Sequence, residues 1–224
     1  MIVETIPDIA GDEKPILAIE TSGEQCGVCV FWNNEKYVET TSRIKFSHSK
    51  KIFTIVENTL STAEISLNDI SAIAVSIGPG SFTGLRIGLA AAKGMALGAS
   101  LPIVPVPTFE AIAMEALSYT KKGEKFFIAN KVNKEEIYFA GFINMGNIYK
   151  FVQQLGIVSR IELENNYSSV IMFGNAGNKR LIFPPARAIA SWSWLYGKKF
   201  ELTNYDLLEP LYVKDFLVKG SKIK

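Results

Sequence analysis

The spacing of apolar residues changes character along the chain. Between residues 15 and 40 they come in short runs broken by turn residues: 15–20, then 25–32 after Thr21-Ser22-Gly23-Glu24, then 36–40 after Asn33-Asn34. Short apolar runs bounded by Gly, Asn and Ser predict strands, and the brief turns make them an antiparallel meander of three. From Ser47 the period lengthens. Ile52, Val56 and Leu60 recur every fourth residue with Phe53 beside them. This predicts a helix over 47–60, capped by Ser47 and buried along that stripe. Ile55 falls off the stripe and is expected at the surface unless a second partner covers it. Ser66 to Asp69 has the form of a capping box opening a helical turn. Residues 73–77 predict a buried strand, 84–97 an Ala-rich helix with Gly98 as its C-cap, and 102–106 a short strand.

Beyond this point the pattern is less regular. Thr108 is placed to cap a helix, with Glu110 in its first turn. Residues 126–129, 136–142 and 148–155 predict strands, the last two a hairpin through Asn144-Met145-Gly146-Asn147. A short helix over 159–165, a strand over 170–173, the loop Gly174-Asn175-Ala176-Gly177-Asn178 and a helix over 186–196 follow. Trp192 and Trp194 lie on different faces of that last helix. The division expected is an extension over 1–14, a first lobe over 15–107 of order β-β-β-α-β-α-β, and a second, degenerate lobe over 108–224.

Composition narrows the function classes. The 224 residues carry a net charge of +2 and no basic run, so there is no electrostatic basis for strong non-specific nucleic-acid binding. Residues 1–14 include Glu4, Asp8, Asp12 and Glu13 and lack an apolar core of signal-peptide length. The longest apolar stretch, 87–99, is interrupted by Lys93 and is too short to span a bilayer. A cytoplasmic chain with no membrane partner is expected. The single histidine, His48, excludes a metal site built on two histidines of one chain. Cys26 and Cys29 form a C-x-x-C inside a predicted strand, where such positions point to opposite faces. They are read as two small buried thiols.

The densest candidate chemistry is the stretch from Ser76 to Gly88, SIGPGSFTGLRIG. Its glycine-proline-glycine turn joins a strand to a helix start, where unpaired N–H groups and the helix dipole can hold an anion. A tight turn whose glycines only supply positive φ explains it equally. It is not a P-loop, since no Gly-Lys-Ser/Thr follows, and the third glycine of G-x-G-x-x-G would fall at Thr83. Arg86, one turn into the helix, is expected to pair with an acid or anion. Gly84, Gly88 and Ala92 form a small-residue ridge that another backbone can approach closely.

A β-β-β-α-β-α-β lobe followed by a degenerate second lobe resembles the α/β two-lobed actin–hexokinase–Hsp70 (ribonuclease H-like) arrangement. That likeness implies nucleotide phosphates held by Glu20, Thr21 and Ser22 and by Gly78, Gly80 and Ser81. Residues 16–22, His48-Ser49, 73–88 and Lys93-Gly94-Met95-Ala96 further resemble the TsaB (YeaZ) family. The likeness is dense over about 16–112 and thin beyond, where Glu136-Ile137-Tyr138 and Pro210-Leu211-Tyr212 fit.

What this resemblance implies is a non-catalytic subunit of tRNA threonylcarbamoyladenosine modification with no metal and no cofactor of its own. It would pair with a TsaD-like paralogue, meet a TsaE-like ATPase, touch tRNA only indirectly and self-associate as a homodimer when alone. ATP or ADP would bind only at an interface with those partners. The helices at 47–61 and 83–98 would make the contact, through His48, Ile52, Ile55, Val56, Gly84, Arg86, Gly88, Ala91, Ala92 and Met95. Two positions depart from the family pattern: Lys131-Val132-Asn133 replaces Asp-Ala-Arg, and Glu20 stands where Asp is usual. The rival readings are a small ATP-dependent kinase or ATPase of the same superfamily, and a glycoprotease-type metallopeptidase. A lone histidine opposes the second.

Overall fold

The computed structural model describes residues 14–44, 48–177, 183–211 and 213. The expected cap at Ser47, most of the extension and the side chain of His48 lie outside them. A meander of β1 (Ile16–Glu20), β2 (Cys26–Phe31) and β3 (Tyr37–Ser42) leads into helix α1 (His48–Thr62). Strand β4 (Ala72–Gly78), helix α2 (Phe82–Ala99) and strand β5 (Ile103–Pro107) complete a five-stranded sheet of order β3-β2-β1-β4-β5. Strands β4 and β5 run parallel to β1, and the meander is antiparallel. Helix α3 (Thr108–Ala116) bridges to a second sheet of β6 (Lys125–Lys131), β7 (Glu136–Asn144), β8 (Tyr149–Ser159) and β9 (Ile171–Phe173). Its order is β8-β7-β6-β9, with the short helix α4 (Arg160–Asn166) between β8 and β9. Helix α5 (Ala186–Tyr196) follows.

Strand period sorts the first core into two layers. Leu17, Ile19, Val28, Ile73 and Val75 face α1 and α2, while Ala18, Cys29, Phe31, Ala74 and Val104 face α5. The central strands are buried on both faces, which is why they read as unbroken apolar runs. Cys26 and Cys29 fall on opposite sides of β2, both buried and free. Helix α5 follows the second sheet in sequence yet packs on the first. Ala186 lies against Gly27 of β2, and Leu202 bridges to Ile103 beyond it. The packing unit around the first sheet therefore extends past residue 107. The second sheet has its own aromatic core, with Phe126 stacked on Phe142 and Phe127 on Phe139.

Three local expectations change. The buried stripe of α1 is Ile52, Ile55, Val56 and Thr59, with Ile55 only 5% exposed and Phe53 at 53%. Positions i, i+3, i+4 and i+7 lie within one face about 100° wide, the apolar stripe an amphipathic helix turns to its core. Thr59 joins them because its hydroxyl donates to the Ile55 carbonyl at 2.7 Å. Helix α2 runs through Gly98 and ends at Ser100, which takes the left-handed conformation at φ 53°. Thr108 is the first helical residue of α3 rather than its cap, and its hydroxyl accepts the Gly78 N–H at 3.0 Å.

A left-handed serine carries a steric cost that glycine lacks. Ser100→Gly is expected to raise stability by about 1 kcal/mol, read as a higher urea midpoint at unchanged slope.

Candidate functional site

The site is built where the β1–β2 turn meets the start of α2. Glu20, Thr21 and Ser22 are all fully buried. The Glu20 carboxyl accepts both the Ser22 N–H, at 2.6 Å, and the Ser22 hydroxyl, at 2.5 Å, on the same oxygen. The Ser22 carbonyl in turn accepts the Ser81 N–H at 2.6 Å. Ser81 caps α2 by accepting the Gly84 N–H at 3.2 Å. Two donors of this helix start are thus satisfied within the chain, which leaves fewer for an anion.

Backbone approaches backbone here, and glycine is what permits it. A Cβ on Gly80 would come within 2.6 Å of the Ser22 carbonyl oxygen; one on Gly84 would overlap the Thr21 carbonyl, and one on Gly88 the Thr21 hydroxyl. The small-residue ridge of α2 therefore closes on the chain's own turn. Gly78 supplies the positive φ, 114°, that the loop needs.

The buried carboxyl is the unusual group of the site. Burial raises Glu20 to about 7, against the opposing hydrogen bonds from the Ser22 hydroxyl and N–H. Glu20 Oε2, Thr21 Oγ1 and Ser76 Oγ are buried without a formed hydrogen bond. A proton on Oε2 supplies a donor at that position. Glu20 in turn helps burial push the Cys26 thiol up to about 11.

Across from this turn lies the second lobe, and between them a cavity of about 670 Å³. Gly80, Ser81 and Ile87 line one side, and Lys131, Tyr138 and Asn175 the other. The Gly174 loop is latched to β6: Asn175 accepts the Lys131 N–H at 2.6 Å, and its own N–H donates to Asn130 Oδ1 at 2.9 Å. Gly174 sits at φ 102°, so the turn cannot easily carry a side chain. Lys131 is exposed on this wall. Asn133 caps its own turn, accepting the Glu135 and Glu136 N–H groups at 2.8 and 2.9 Å. Gly174-Asn175-Ala176-Gly177, the candidate second phosphate loop of the kinase reading, brings Asn175 to this wall. Sequence reasoning missed Lys131 as cavity lining, and missed Phe183, whose ring covers Gly23.

Of the residues expected at the partner contact, Ile52, Ile55, Val56, Gly84, Gly88, Ala91 and Ala92 are buried within the chain. Met95 is half-buried, and Arg86 is exposed with its guanidinium 3.8 Å from the Phe82 ring centroid. The same two helices instead expose Phe53, Phe82, Ala90, Gly94 and Leu97, the last at 75%. Among the described residues no group of three or more His, Cys, Asp or Glu side chains could hold a metal ion. No helix among them is long and apolar enough to cross a membrane.

Comparison with known proteins gives this geometry a family. A profile described as TsaD, tRNA N6-adenosine threonylcarbamoyltransferase, matches residues 39–140. The TsaB protein of Haemophilus influenzae, named for tRNA threonylcarbamoyladenosine biosynthesis, is 34% identical over 125 residues, 56% of this chain and 52% of that protein. The TsaB protein of Escherichia coli is 38% identical over 128 residues, 57% and 54% of the two chains. These matches support the TsaB (YeaZ) family for this chain. The YeaZ structure from Pseudomonas aeruginosa superposes with a TM-score of 0.73 at 20% identity, covering 89% of this chain and 99% of that one. The fold is accordingly the two-lobed actin-like α/β fold. The chain spans about half the length of the two curated TsaB relatives it matches.

Two outcomes test the site. With a folded pKa near 7 and an unfolded value of 4.5, Glu20 keeps its proton in the folded chain while the unfolded chain releases it. Stability from this group is full below about pH 4.5 and falls by about 3 kcal/mol as pH rises to 7. Glu20→Gln removes that slope and leaves a chain more stable than the parent at pH 8, measured by urea unfolding across pH. Gly84→Ala is expected to cost about 1–3 kcal/mol, because the methyl group meets the Thr21 carbonyl. Gly94→Ala, in open space on the same helix, is expected to stabilise by about 0.5–1 kcal/mol in the same assay.

Proposed function

We propose that this chain is a non-catalytic subunit of tRNA threonylcarbamoyladenosine biosynthesis that docks a TsaD-type threonylcarbamoyltransferase through the outer faces of α1 and α2. Family likeness and the names of its relatives support the pathway. The observation that carries the docking reading is the apolar outer surface of the two helices, with Phe53 on one and Phe82, Ala90 and Leu97 on the other. These helices pack side by side on one face of the first sheet, so both present apolar groups on the side turned away from it. Exposed apolar groups on both helices support an interaction site there.

On this reading Arg86, Met95 and His48 border the contact, and the same face pairs two copies of the chain when the transferase is absent. A TsaE-like ATPase acts on the assembled pair, nucleotide enters only at that shared interface, and tRNA meets the transferase. The work takes place in the cytoplasm. A kinase would need a catalytic Asp in the interlobe cavity, and among the described residues that line it there is none. Glu20 is sealed behind Ser22, which weighs against that alternative.

Light scattering of the chain mixed with the transferase of the same organism is the test. A one-to-one complex is expected, and Leu97→Glu or Phe53→Asp should weaken it at least about tenfold without changing the unfolding transition. An unweakened complex with both variants overturns docking through this face. A parent chain that ignores the transferase overturns the functional reading itself.

A further inference from the structure

A second cavity, of about 480 Å³, lies where β5 ends and α3 begins, and is roofed by the end of α5. Its volume falls within the range of small-ligand pockets, roughly 300–1,000 Å³. Neither the docking face nor the interlobe cavity contributes a residue to it.

Its polar centre is Glu110. One Glu110 oxygen, Oε2, accepts the Tyr149 hydroxyl proton and the Trp192 indole N–H, the latter at 3.3 Å. The indole N–H also reaches the Tyr149 oxygen at 2.9 Å. Burial and the adjacent Glu110 push the Tyr149 hydroxyl well above its usual range, so it remains a neutral donor. Two neutral donors orient the carboxylate without cancelling its charge. Among the described residues no cation pairs with Glu110.

Around that carboxylate the walls are aromatic. Trp192 lies 5.7 Å from Phe200 and 5.6 Å from Tyr196, and Tyr149 lies 6.2 Å from Tyr196, centroid to centroid. Pro105, Pro107 and Ile77 complete an apolar floor. On the rim, Lys199 Nζ sits 5.2 Å from the Phe200 ring centroid.

We infer that this cavity binds a small organic cation, of the alkylammonium class, between its aromatic walls and the Glu110 carboxylate. Ring faces attract a cation through their quadrupole, and the carboxylate supplies the opposite charge. An anion is repelled by Glu110. A neutral apolar guest would bury that carboxylate without a partner, which is unfavourable. A hydrated metal ion lacks the oxygen ligands it needs against proline and aromatic walls.

The probe is choline, titrated into the full chain by calorimetry, with the Trp192 indole N–H resonance as a local reporter. Its uncharged carbon isostere, in which a tert-butyl group replaces the trimethylammonium, is the control. Choline is expected to bind at least about tenfold more tightly than the control and to shift the Trp192 resonance. Glu110→Gln keeps an oxygen for the Tyr149 and Trp192 donors but loses the charge, and should weaken choline about tenfold. Phe200→Ala, at an exposed position, should weaken it about threefold. Equal binding of choline and control, no binding of choline, or undiminished binding by a folded Glu110→Gln chain each overturns the inference. None of these outcomes depends on the transferase, so the docking reading stands or falls separately.

Discussion

The close approach of the β1–β2 turn to the first two turns of α2 is the constraint on which the rest of the first lobe depends. It brings the Ser22 carbonyl onto the Ser81 N–H and lays the Thr21 carbonyl against Gly84 and the Thr21 hydroxyl against Gly88. No side chain fits at those helix positions, and the Ser22 N–H and hydroxyl trapped beneath need a local acceptor. Glu20 supplies it by accepting twice from Ser22, and its burial holds the carboxyl near neutrality. A turn pinned this way fixes where α2 leaves the sheet, and so which of its residues look outward.

That orientation inverts the face a sequence would assign to a partner. Small residues permit close approach, and here the neighbour they admit is the chain's own first turn. The outer face is left with larger apolar groups, Phe82 and Leu97, beside Phe53 of α1. The same pinning sets Gly80 and Ser81 at the rim of the interlobe cavity, opposite the latched loop at Gly174. Two glycine-bearing turns thus face each other across one space, the arrangement of a two-lobed actin-like fold, even though the donors of the first are largely engaged within the protein.

Family likeness and physical structure bear on different questions. The relatives speak for the pathway, and the TsaD profile over residues 39–140 reaches from β3 into β7. The surface that would carry an interaction comes from packing, as does the Glu110 pocket beneath α5. Tyr149 and Trp192 lie 43 residues apart in sequence and converge only because α5 returns to the first sheet.

Strand and helix order was legible in the sequence, because runs bounded by Asn, Gly and Ser and a switch from runs to helical period survive any packing. The glycine loop was legible too, as a strand-to-helix turn. Register within a helix was not: Ile55 and Phe53 differ by two residues, and only the position of the sheet beneath α1 decides which is buried. Nor could composition tell whether Gly84 and Gly88 receive a partner or the chain's own turn, since both need the same missing side chain. Lys131 and Asn175 entered the cavity wall through contacts 44 residues apart. Local chemistry, being set by neighbours in sequence, determined the elements and the turn. Tertiary structure alone decided which faces they conceal, because burial is a property of what lies across the gap.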